Sequence, residues 1–224
     1  SISREEDYPE GFFIYTDFQT SGKGQGINKW ESKKGKNLLF SILLFPKHIQ
    51  AAEQFIISQI VSVAILEVLS EIIPNVKIKW PNDIYVEDRK IAGILIENTI
   101  QGSIINKTII GIGMNVNQTE FTSYAPNPVS LKLITKKSYN RQKLMERIYH
   151  NILENYYDAD YEKIRMKYFN KLYRNDGYYP YSGEGETFRA KITEVLNDGR
   201  LVLLNEEGES KIYGFKEVEF IINP

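Results

Sequence analysis

The chain has 224 residues, with 28 Lys and Arg against 29 Asp and Glu, a formal net charge of −1, 42% hydrophobic and 25% charged residues, and no cysteine. This is the balance of an ordinary globular protein, long enough for one catalytic domain plus a small appendage. It excludes a global field for DNA or an anionic membrane, as well as disulfides, thiolate metal sites and a cysteine nucleophile, and it suits a reducing cytoplasm.

The charged start SISREEDYPEG has no signal-peptide core, and no helix-turn-helix is expected ahead of the first strand. Gly11 to Phe18 is β-branched and aromatic and predicts a strand. A Gly- and Lys-rich loop runs from Gln19 to Lys36, and Asn37 to Phe45 predicts a buried strand. From about His48 to Ile73 apolar residues recur at helical spacing, predicting one long core-facing helix stopped by Pro74. No apolar run is expected to reach the roughly 18 residues of a membrane span. Val76 to Trp80, Ile84 to Val86, Ile91 to Ile96 and Thr108 to Val116 predict strands joined by hairpins at Glu87-Asp88 and Gln101-Gly102. A loop with Pro126 and Pro128 follows, then two helices between about Asn140 and Tyr173. After Gly177, short runs separated by Asn197-Asp198-Gly199 and Glu206-Glu207-Gly208 predict a small β barrel of about five strands. The fold class is α+β: a mainly antiparallel or mixed sheet backed by helices over residues 1–176, then a β module over 177–224. His48 and His150 are isolated and read as surface residues.

Three segments carry residue types suited to chemistry. QTSGKGQGINKW (Gln19 to Trp30) alternates Gly22, Gly24 and Gly26, so backbone N–H groups can approach an anion, and Lys23, Lys29, Lys33, Lys34 and Lys36 add positive charge near Glu31. It has neither a Walker frame nor the dinucleotide fingerprint. The same spacing also fits a solvated surface loop with Trp30 as a packing anchor. In KWPND, Pro81 extends Trp80, and Asn82 and Asp83 sit at a strand-to-turn corner. Asp83 can be a base or a Mg²⁺ ligand, and a closed hairpin brings Lys90 to the same end. Plain turn chemistry and a solvated strand end are the alternatives. Gly93, and Gly111 and Gly113 in GIGMNVN, leave a strand face bare for a flat ring, with Asn115 and Asn117 continuing it; a β-bulge would use the same glycines.

Together, Gln19-Thr20, Gly22-Lys23-Gly24, Trp30, KWPND, Lys90-Ile91-Ala92-Gly93-Ile94-Leu95 and GIGMN resemble the biotin protein ligases, in the form without a DNA-binding head, over nearly the whole length. The resemblance implies a class II synthetase-like catalytic domain with an SH3-like terminal barrel. It implies activation of biotin with ATP as biotinyl-5'-AMP and transfer to a lysine of a biotin carboxyl carrier protein, with Mg²⁺ as cofactor. By position it makes Lys90, Asp83 and Lys23 the catalytic residues, with Asp83 also a Mg²⁺ ligand. It assigns biotin to Gln19, Gly22, Lys23, Gly24, Gln25, Lys90, Gly93, Leu95, Gly111 and Gly113. It assigns the nucleotide to Lys23, Gln25, Trp30, Asn82, Lys90, Met114 and Asn115. It implies no specific DNA binding and no membrane contact, and leaves a homodimer open. Lys23 and Gln25 stand where the family usually has arginines, and no Ser-Thr-Asn stretch precedes Gly11. Lys23 can still neutralise phosphate, though it lacks the bidentate fork of arginine; Gln25 carries no charge, so weaker retention of the intermediate is expected. The rival readings are a lipoate or octanoate ligase, a non-catalytic biotin or nucleotide sensor, and a structural interaction protein.

Overall fold

The computed structural model describes residues 8–20, 22, 24, 30–122, 127–158 and 160–222. A six-stranded sheet is built from β1 (Phe13–Tyr15), β2 (Leu38–Leu44), β3 (Val76–Lys79), β4 (Asp83–Val86), β5 (Arg89–Gln101) and β6 (Ile104–Met114), in the order β1-β2-β6-β5-β4-β3. Every pairing in it is antiparallel. The hairpin expected at Glu87-Asp88 forms with Glu87 at φ 54°, and the long β5–β6 hairpin turns on Gly102 at φ 62°. These are turn positions that need a left-handed residue.

Strand alternation sorts the sheet into two faces. Ile110, Ile112 and Met114 of β6 point into the core, where they join α1 (Phe55–Ser70) in one apolar cluster. α1 is apolar nearly all round because it is enclosed: it packs on β3, β4 and β5 and against α3 (Arg141–Asp158) and α4 (Tyr161–Asn170). With the preceding turn it forms a 20-residue stretch, Ala51–Ser70, long and apolar enough to cross a membrane. That corrects the sequence expectation, although most of this stretch is buried inside the protein. The helix is also shorter than expected, because Ala51–Glu53 forms a separate 3₁₀ turn before it. A short α2 (Leu131–Thr135), capped by the Ser130 hydroxyl, was not anticipated.

The second sheet has five antiparallel strands, β7 (Tyr179–Gly183), β8 (Glu186–Val195), β9 (Leu201–Asn205), β10 (Ser210–Tyr213) and β11 (Val218–Phe220), in the order β10-β9-β8-β7-β11. This is the small C-terminal β unit of an α+β fold with an SH3-like module. It is fastened to the first sheet at one corner. Trp80 Nε1 donates to the Gly199 carbonyl oxygen at 2.8 Å, and the Phe215 ring lies 5.4 Å from Trp80 and 5.9 Å from Phe55. Gly199 sits at φ 92°, and a Cβ there would come within 2.5 Å of the Phe55 ring. Gly199→Ala therefore combines left-handed strain with a clash, and should cost about 2 kcal/mol or more. Urea unfolding checks this; an unchanged midpoint would contradict the packing described for this corner.

Candidate active site

The face of the large sheet opposite the helices is the floor of a cleft of about 1260 Å³. The strand register sets its chemistry. Lys79 on β3 pairs with Asp83 on β4, Asp83 with Gly93 on β5, and Gly93 with Gly113 on β6, so these four form one row across the sheet. A second row runs through Leu95, Gly111, Ser41 and Ile14. All eight of these residues line the cleft.

Lys90 reaches into the first row from the neighbouring position. Its Nζ lies 2.7 Å from Asp83 Oδ1, with both side chains a little over one-fifth exposed. The sequence expectation that these two share an end of the hairpin therefore holds in geometry. Something the sequence did not signal holds Lys90 in place. Its N–H donates to the Asn127 carbonyl oxygen and its carbonyl accepts from the Val129 N–H, both at 2.9 Å, clamping the strand from residues 127–129. At this exposure the pair contributes little to stability, on the order of 1 kcal/mol or less. Its role is to hold a cation and an anion in fixed positions.

Trp30 changes the expected picture of the floor. A Cβ added at Gly113 would fall 2.5 Å from Trp30 Cε2, and one at Gly93 would fall 3.1 Å from Trp30 Cζ3 and 3.2 Å from Lys90 Cε. The strip above Gly93 and Gly113 is thus taken by the indole ring and the lysine stem, where a bare surface was expected. The bare stretch is at Gly111, where an added Cβ meets nothing closer than 3.7 Å. The Lys90 ammonium is 5.7 Å from the Trp30 ring centroid. Gly22 serves Trp30 too: the Trp30 N–H donates to the Gly22 carbonyl oxygen at 3.0 Å, and a Cβ at Gly22 would sit 2.5 Å from the Trp30 carbonyl oxygen. Gly22 is buried at the base of the loop and does not line the cleft, whereas Gln19, Thr20 and Gly24 do. Lys23, Gln25, Gly26 and Lys29 lie outside the described residues.

Other expected residues fall in varied places. Asn82 lines the cleft, but its amide N–H₂ is engaged, donating to the Ile94 carbonyl oxygen at 2.6 Å. Met114 is a correction: strand alternation turns it to the opposite face, fully buried in the core, so it does not line the cleft. Asn115 is buried, and its Oδ1 has no partner among the described residues; the same is true of Trp30 Nε1. Native interiors rarely leave such atoms open. Asn117 turns away, exchanging hydrogen bonds of 2.9 Å with the backbone of Tyr139. Lys33 is drawn off to Glu120 at 2.5 Å, and Lys34 and Lys36 do not line the cleft. Asp83 is held by Lys90, and no group of three His, Cys, Asp or Glu that could hold a metal occurs among the described residues. The described side chains therefore do not fit a protein-built Mg²⁺ cage. Such an ion would enter on the oxygens of a polyphosphate.

Sequence reasoning missed one whole wall. Phe215, Lys216, Val218, Glu219 and Phe220 of the C-terminal unit line the cleft, and Phe215 is 43% exposed there. Lys79 was also passed over, although its position in KWPND places it beside Asp83.

Residues 3–115 match the model of the biotin/lipoate A/B protein ligase family. Among known proteins, the chain is 28% identical over 216 residues to the bifunctional ligase/repressor BirA of Bacillus spizizenii, covering 92% of this chain and 65% of that protein. It is 27% identical over 219 residues to the human biotin–protein ligase, covering 89% of this chain and 29% of that one. The chain spans about a third to two thirds of the Bacillus relatives it matches. Among solved structures it resembles the biotin protein ligase of Aquifex aeolicus in complex with biotin and ATP. The TM-score is 0.80 at 28% identity, covering 98% of this chain and 92% of that one.

The close approach of Trp30 to Gly113 yields a test. Gly113→Ala should displace the indole and shift its fluorescence, while Gly111→Ala, with room for its methyl, should leave the spectrum and the unfolding midpoint unchanged. Identical spectra for wild type and Gly113→Ala would contradict the placement of Trp30.

Proposed function

The chain belongs to the biotin/lipoate A/B protein ligase family, and from that membership we propose that it is an ATP-dependent biotin protein ligase acting on a lysine of a biotin carboxyl carrier protein. The observation that carries this reading is the Lys90–Asp83 pair at 2.7 Å, standing at the end of a floor that is open at Gly111. The named relatives are biotin ligases, which favours biotin over lipoate.

In the proposed first step a carboxylate oxygen of biotin attacks the α-phosphorus of ATP and the bond to the β-phosphate oxygen breaks. The rings of the acid lie along Gly111 and Leu95 beside the Trp30 indole. Lys90 meets the carboxylate and the α-phosphate and stabilises the charge shared between them. The nucleotide side is assigned to Trp30, Asn82 and Asn115, with the base supplying the partners that Trp30 Nε1 and Asn115 Oδ1 lack. Gln19 and Gly24, which line the cleft, shield the mixed anhydride from water, and Lys23 and Gln25 are assigned to it by motif position alone. In the second step a neutral acceptor amine attacks the acyl carbon and AMP leaves. Asp83 orients that amine and accepts its proton. Residues 1–176 are proposed as the catalytic domain and 177–224 as a second domain that forms one wall of the cleft. Mg²⁺, where present, would be brought by the triphosphate and would neutralise part of its charge, and ATP dependence agrees with a cytoplasmic site.

Lys90→Ala should lower biotin adenylation by at least about tenfold, equivalent to about 1.4 kcal/mol of transition-state stabilisation. Asp83→Asn should leave adenylation nearer wild type while slowing transfer to the carrier. ATP–pyrophosphate exchange driven by biotin, lipoate and octanoate separately checks the substrate. Exchange with lipoate or octanoate in place of biotin would refute the acid named here, and no exchange with any acid would refute the ligase.

A further inference from the structure

Lys79 is a cation of the cleft that forms no salt bridge among the described residues. It ends β3 directly opposite Asp83 and lines the same cavity. Its Nζ lies 4.8 Å from the Phe220 ring centroid and 5.6 Å from that of Tyr85, so one ring comes from the C-terminal unit and one from the sheet. Asp83, which could have paired with Lys79, is held by Lys90 instead. The charged groups acting on it are Asp83 on β4, Lys90 on β5, Glu219 on β11 and Arg174 after α4. Burial holds its pKa below the ordinary lysine value, with Lys90 and Arg174 adding to that shift and Asp83 and Glu219 opposing it. An ammonium kept half-buried between two rings loses hydration, and no carboxylate among the described residues is in ion-pair contact to replace it.

Its place in the row says which anion would do so. The order across the sheet is Gly113, Gly93, Asp83, Lys79. Neighbouring strands are about 4.8 Å apart, so Lys79 stands about 10 Å beyond Gly93, on the far side of Asp83 and away from Gly111. Displacement at phosphorus is in line, with the attacking and leaving oxygens on opposite sides of the phosphorus. If the acid approaches from the Gly111 end and its carboxylate meets the α-phosphate at Lys90, the leaving group must depart toward Lys79.

We propose that Lys79 is a second anion-binding residue of the site, which receives the pyrophosphate leaving group of the nucleotide. The inference rests on the ligase reading and deepens it. As the acyl oxygen–phosphorus bond forms, the bond from the α-phosphorus to the bridging oxygen breaks. The electron pair goes with pyrophosphate, whose charge Lys79 neutralises without transferring a proton. Asp83 between the two lysines offsets their mutual repulsion.

The test is calorimetric titration of inorganic pyrophosphate into the full chain as wild type, Lys79→Met, Lys79→Gln, Lys79→Arg and, as a charge control, Lys143→Met on the exposed side of α3. The two neutral variants should bind pyrophosphate about tenfold more weakly or worse. Lys79→Arg should stay within about threefold of wild type, and Lys143→Met should match it. In adenylation assays the neutral variants should raise the KM for ATP while that for biotin stays within about twofold. Wild type that does not bind pyrophosphate, or a folded neutral variant that binds it as tightly as wild type, would overturn the assignment. Adenylation by the wild-type sample separates the two ideas. Its absence would sink the ligase reading, whereas its presence with unaltered pyrophosphate binding in the variants would sink only the role of Lys79.

Discussion

Antiparallel register is the constraint on which the site depends. Because β4 pairs with β5 and β5 with β6, Asp83, Gly93 and Gly113 are forced into line on one face. The opposite face carries Ile94, Ile112 and Met114 into the core. A one-residue slip of any strand would exchange these faces, exposing apolar side chains and burying charge. The burial of the helix side thus fixes the chemistry of the cleft side. The Lys90–Asp83 pair is held within this frame, with the backbone of Lys90 tied on its other edge to Asn127 and Val129. A salt bridge that adds little stability is well suited to function, since its partners can be exchanged for substrate groups at small cost.

The glycines of the floor divide into two kinds. Gly22, Gly93 and Gly113 are glycine because Trp30 or the Lys90 stem occupies the space a Cβ would take. Gly111 faces open cleft. The indole therefore covers the glycine half of the charged row, beside the open floor at Gly111. The C-terminal unit supplies the facing wall, anchored where Trp80 bonds Gly199 and its ring lies tilted against Phe215. The residue after Lys79 in KWPND thus locks the two sheets together, while Lys79 itself faces the cavity between them.

Much of this was legible from spacing. The strands around KWPND and KIAGIL, the hairpin at Glu87-Asp88, the α+β class and the meeting of Asp83 with Lys90 follow from alternation and a short turn. What escaped were contacts between segments distant in sequence. Phe215 to Phe220 reach the cleft only because the second sheet folds back, and nothing local marks them. The clamp from residues 127–129 is made of backbone atoms, which carry no side-chain signature. Met114 was misjudged because a motif read as a string ignores the two-residue period of a strand: Gly113 and Met114 are neighbours in sequence and opposites in space. The floor above Gly93 and Gly113 was read as bare because a glycine pattern does not reveal what fills the gap it leaves.

The central claim is that an acid bound on the Gly111 floor presents its carboxylate to Lys90. A crystal structure with biotin and ATP or a non-hydrolysable analogue tests this most directly. The account predicts the biotin rings beside Gly111 and Leu95, with the carboxylate and α-phosphate both within hydrogen-bond reach of Lys90 Nζ. Biotin and nucleotide lodged outside this cleft, or Lys90 and Asp83 turned apart into solvent in the occupied site, would contradict it.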